Sequence, residues 1–88
     1  MSTIDYSKLR SRITASRIIR ALTRDSFAFD GGEGSHRQYR HPDGRVVTVT
    51  YHHPSDTFTP KTLKSMIERQ AHWTLDDLKR LKLIPKKG

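Results

Sequence analysis

The run Val46-Val47-Thr48-Val49-Thr50-Tyr51 most constrains what this chain can fold into. It is the densest stretch of β-branched and aromatic residues, which suit a pleated, half-buried surface. Just before it comes the turn triplet Pro42-Asp43-Gly44. Two strands joined by so short a turn must pair antiparallel. The pattern therefore predicts one strand over about Ser35 to Arg40, a turn over His41 to Gly44, and a second strand over Arg45 to Tyr51.

Helix signals flank this hairpin. Thr14 is suited to cap a helix over roughly Ala15 to Arg24, with Ile18, Ile19 and Leu22 on an apolar stripe and Arg17, Arg20 and Arg24 on another face. Asp25 and Ser26 end it. Phe27 and Phe29 then alternate with Ala28 and Asp30, as in a half-buried strand that stops at Gly31-Gly32. After a loop over His52 to Phe58, Thr59 and Pro60 supply an N-cap and a proline at the first helical position, followed by Leu63, Met66, Ile67 and Gln70 at helical spacing. Thr74 to Asp77 reads as a capping box opening a short helix with Leu75, Leu78 and Leu81, under which Trp73 packs.

The order α-β-β-β-α with a short extra C-terminal helix defines an α+β fold: a three-stranded antiparallel sheet with helices on one face. The expected organisation is a loosely held basic arm over residues 1–13, a single domain over 14–84 and a tail over 85–88. With Val47, Val49 and Tyr39 turned toward the helices, alternation sends Thr48, Thr50, His52, His36, Gln38 and Arg40 to the open face.

Eighty-eight residues allow one modest core. The absence of cysteine excludes disulfides and thiolate metal sites and fits a reducing compartment. No apolar run reaches membrane-spanning length and the N-terminus lacks a signal-peptide core, so a cytoplasmic protein without membrane contact is expected. Seventeen Lys and Arg against nine Asp and Glu give a net charge of +8. Such an excess suits a polyanion, because neutralised phosphates release counterions; the plainer reading is a solubilising surface.

Histidine on a rigid strand in such a protein invites phosphate chemistry. RNA is cut when a base takes the 2′-hydroxyl proton and the oxygen attacks the adjacent phosphate, and imidazole serves as that base or as the acid for the leaving oxygen. His36 is the candidate, with His52 or Arg40 as auxiliary. The open alternatives are a contact in a non-catalytic RNA-binding module, or an ordinary strand residue. Arg17, Arg20, Lys61 and Lys64 are the candidate RNA-binding cations, the two lysines lying where a helix start favours anions. No familiar ligand spacing marks a metal site. A basic DNA-binding domain would need a helix-turn-helix or zinc signature, and neither is present.

The ordered set of Ile-Ile-Arg-Ala-Leu, an aromatic strand, Gly34-Ser35-His36, Tyr-Arg-His-Pro-Asp-Gly, the third strand ending at His52, and Thr-Leu-Lys-Ser-Met-Ile resembles the HicA toxin family of bacterial type II toxin–antitoxin systems. The likeness runs from about Ile13 to Gln70. It implies a fold like the double-stranded RNA-binding domain, cleavage of mRNA without a metal or other cofactor, and neutralisation by a HicB-type antitoxin. The family's catalytic histidine falls on His36, its second recurrent histidine on His52, and its preceding glycine on Gly34, with Ser35 between. The chain departs from the family where Ser26 and Thr50 replace a common glycine and proline, and where Ala71 to Thr74 contain no glycine.

Overall fold

The computed structural model describes residues 4–84. Along the chain it contains α1 (Tyr6–Leu9), α2 (Ala15–Arg24), β1 (Ala28–Phe29), β2 (His36–Arg40), β3 (Val46–Thr50), α3 (Pro60–Lys64), a π-helical continuation (Ser65–Gln70) and α4 (Leu75–Arg80). The strands form one sheet in the order β1-β2-β3, antiparallel throughout. The α+β class and the α-β-β-β-α order hold, with α1 added in front.

Capping explains where the helices start. Thr14 Oγ1 accepts the Arg17 amide, Thr59 accepts that of Thr62 with Pro60 following it, and Thr74 and Asp77 form the reciprocal capping box. The helix that opens at Pro60 does not stay α-helical. Its last six residues widen into a π-helix, which buries the adjacent Met66 and Ile67 and brings Gln70 to β3. There Gln70 Oε1 accepts the Thr48 amide at 2.8 Å, covering a donor on an otherwise open sheet edge.

Tyr39, Val47 and Val49 face the helices and share a core with Ile18, Leu22, Leu63, Met66 and Ile67. Trp73 is buried, meets Phe27 edge-on and donates its indole N–H to Asp25 at 2.7 Å. Arg80 reaches the other oxygen of Asp25 at 3.0 Å, so one carboxylate joins the end of α2 to α4.

The N-terminal segment departs from the expected loose arm. Tyr6, Leu9 and Ile13 are buried in the same core, and the Tyr6 hydroxyl donates to Glu68 at 2.5 Å. Burial, and then the bond to Glu68, raise the Tyr6 pKa well above its ordinary value. Apolar residues at positions 6, 9 and 13 present one helical face, and burying them outweighs the polar composition around them. The expected tail, 85–88, lies outside the described residues.

Three helical segments end in a left-handed residue, and none of these is glycine: Ser26 has φ 72°, His72 57° and Lys82 63°. At Ser26 the Phe27 amide bonds Leu22 O and the Ser26 amide bonds Thr23 O, the paired closure usually built on glycine. The same closure recurs at Lys82. Ser26 and His72 thus keep the backbone shape at two places where family glycines are missing.

Candidate active site

The residue pairs His36–Thr50, Gln38–Thr48 and Arg40–Val46 set the register of the open face. His36, Gln38, Arg40 and Thr50 are all exposed there, as alternation predicts. Direct pairing across the ladder brings His36 Nδ1 to 2.9 Å from Thr50 Oγ1. Nε2 takes no hydrogen bond from any described residue. A hydroxyl both donates and accepts, so Thr50 suits either protonation state: it donates to a bare Nδ1 and accepts from Nδ1–H. In either case it fixes the ring with Nε2 toward solvent.

The segment before β2 is held by its own backbone. The His36 amide donates to Glu33 O at 3.0 Å, the Gln38 amide to Gly31 O at 2.8 Å, and the Tyr51 amide to Ser35 O at 3.1 Å. Gly34 has φ 58° and open space around it. Gly32 is under a stricter constraint. A Cβ there would lie 2.0 Å from the His36 carbonyl oxygen, inside any tolerated contact. The sequence marks Gly31-Gly32 as a strand end, but this close approach to His36 appears only once the loop is folded.

The other candidates fall in different places. Arg40 is on the same face as His36, and its Nε is paired with Asp30 at 2.9 Å. His52 is exposed but lies two residues beyond β3, in the loop rather than on the open sheet face expected for it, with its amide and that of His53 bonded to Asp56 Oδ2 at 2.9 and 3.0 Å. Those two amides hold the Asp56 carboxyl below the ordinary carboxylate range. No hydrogen bond joins the His52 ring to His36 among the described residues. Arg17, Arg20, Lys61 and Lys64 lie on the helices, across the sheet from the His36 ring. Arg20, Lys61 and Lys64 are exposed, whereas Arg17 is half-buried and bonded to Arg12 O at 2.9 Å and Lys82 O at 2.8 Å. Thr50 and Gly32 are the site residues that sequence reasoning did not single out.

Among the described residues, no three His, Asp or Glu side chains come together as a metal-holding group, and no helix is long and apolar enough to cross a membrane.

An open sheet face that carries a strand histidine, backed by helices on the other side, defines a small α+β protein with an accessible imidazole. The family model described as HicA toxin of bacterial toxin–antitoxin matches residues 15–73, from the start of α2 to Trp73. The chain belongs to the HicA toxin family, the toxin half of a toxin–antitoxin system whose partner is an antitoxin. The comparison with curated proteins found no match.

Proposed function

We propose that this toxin is an endoribonuclease that cleaves mRNA in the cytoplasm with His36 as its acid–base group. The supporting observation is the His36–Thr50 pair, which holds the ring at Nδ1 and leaves Nε2 exposed on a rigid strand. In this reading Nε2 takes the proton of a 2′-hydroxyl, and O2′ attacks the adjacent phosphorus. The 5′-oxygen leaves with a proton returned by the imidazolium. One strand then ends in a 2′,3′-cyclic phosphate and the other in a 5′-hydroxyl. Nearby cations stabilise the charge that grows on the phosphate oxygens. Arg40 is the auxiliary candidate on this face and is released for that role when a phosphate competes with Asp30. His52, Gly34 and Ser35 complete the neighbourhood, and Arg20, Lys61 and Lys64 are cations available to RNA. A HicB-type antitoxin silences the toxin by covering the exposed face that carries His36.

The test is incubation of the purified protein with single-stranded RNA in excess chelator. The expected result is fragmentation into cyclic-phosphate and 5′-hydroxyl ends, with protection wherever a 2′-deoxy sugar is placed at the cut. RNA that is bound but left intact would make the protein a non-catalytic binder and overturn the reading.

A further inference from the structure

A cleft of about 390 Å³ lies between the start of α2, with Arg12 before it, and the end of α4 with the chain that follows, and its polar lining is entirely cationic: Arg12, Arg17, Lys79, Arg80 and Lys82. Arg80 alone among these is ion-paired, to Asp25 and Asp77. Arg12, Arg17, Lys79 and Lys82 have no acidic partner within the described residues. The side-chain partners of Arg17 are backbone carbonyls, at Arg12, Lys82 and Leu83. Carbonyls hold a guanidinium in place without cancelling its charge, so the cleft is both rigid on one wall and strongly positive.

The positive surface continues beyond the cleft. A second hollow shares Arg17 and Lys82 with the first and adds Arg20 and Arg24. A third shares Arg20 and Arg24 and reaches Tyr51. Over the Tyr51 ring, at 5.4 Å, sits the guanidinium of Arg37, the residue next to His36. An unbroken series of shared lining residues therefore leads from the C-terminal segment along α2 to the start of β2.

We propose that the cleft is a remote RNA-binding site that grips the phosphate backbone of the substrate and carries it along α2, on the helical side of the sheet, to Arg37 at the start of β2. The proposal takes its substrate from the RNA-cleaving reading above. The cleft depends on Lys79, Arg80 and Lys82, all beyond the residues that match the family model, so it is an addition made by this chain's C-terminal segment. Single-stranded RNA is the fitting occupant: adjoining cationic hollows suit a string of phosphates, and an aromatic ring beneath an arginine suits a base.

The test measures binding of a fluorescent 2′-O-methyl RNA of roughly 12 nucleotides, which cannot be cleaved and spans a typical single-strand site. The triple variant Arg12→Gln/Lys79→Gln/Lys82→Asn removes charge while sparing Arg17 and its structural bonds; asparagine tolerates the left-handed backbone at Lys82. The expected result is affinity weakened about tenfold and a plot of log affinity against log salt flattened by about 2, or about 0.7 per lost phosphate contact. Lys79→Gln alone is expected to flatten the slope by about 0.7, so the test does not hang on the triple variant folding. Unchanged affinity and slope would overturn the proposal. So would unchanged RNA binding with weakened antitoxin binding, which would assign the cleft to the protein partner. Because the probe is uncleavable, failure of the wild-type protein to cut natural RNA would count against the nuclease reading and leave this binding result standing.

Discussion

Thr50 Oγ1 stands 2.9 Å from His36 Nδ1 because the two residues are direct partners across the β2–β3 ladder. The hydroxyl orients the ring, and the paired strands hold both ends of the bond.

Thr50→Val is expected to lower kcat for RNA cleavage about tenfold, equivalent to one hydrogen bond, with KM little changed. Thr50→Ser should restore most of the rate because it returns the hydroxyl. Steady-state kinetics on a short RNA read both effects, and a change confined to KM would contradict a positioning role.

Gly32 is expected to be the least replaceable glycine near the site. Gly32→Ala places a methyl group against the His36 carbonyl and should cost about 2 kcal/mol or more, with loss of activity as β2 shifts. Gly34→Ala meets no neighbour and bears only the strain of its φ of 58°, a smaller loss of about 1 kcal/mol. Chemical denaturation of the two variants checks the order, and an equal or reversed ranking would contradict it.

Ser26→Gly and His72→Gly should each stabilise the fold by roughly 0.5–1 kcal/mol, since left-handed backbone strains a serine or histidine more than a glycine. The two sites terminate different helical segments, so the gains should add within about 0.5 kcal/mol in the double variant. Thermal melts that fall on either substitution would show that the native side chain contributes more than the strain costs.

Much of the fold was legible in the sequence because local chemistry decides it. Thr14, Thr59-Pro60 and Thr74 with Asp77 mark helix starts, and the Val-Thr alternation separates the faces of β3. The burial of α1 was hidden by its polar neighbours, although Tyr6, Leu9 and Ile13 carry the helical spacing. The widening of Ser65–Gln70 accompanies a tertiary bond from Gln70 to β3, which no local pattern contains. At the site, alternation put His36 on the exposed face, but its pairing with Thr50 follows from the strand register and its crowding by Gly32 from the folded loop.

Acid should weaken the protein in a defined window. The Arg45 amide lowers the Asp43 carboxyl pKa, and the His52 and His53 amides lower that of Asp56. Partial burial pushes Asp77 up, but the Thr74 amide, the Arg80 guanidinium and the Thr74 hydroxyl outweigh it and leave the group lowered. Stability from a lowered carboxyl is fully present above its unfolded pKa, near 3.8, and is lost as pH falls through the lower folded value. The melting temperature contributed by these groups should be steady above about pH 5 and fall below about pH 4. Asp56→Asn and Asp77→Asn should shrink that acid-dependent loss, and an unaltered pH curve in both would contradict the assignment.

The most direct test of the central claim compares the wild-type protein with His36→Ala, in cleavage of purified RNA and in growth inhibition on induced expression. The account predicts that cleavage falls by about 10²–10⁴-fold and growth inhibition disappears, while stability shifts by less than about 0.5 kcal/mol because the ring is exposed. A folded His36→Ala protein that still cuts RNA and arrests growth at the wild-type rate would contradict it.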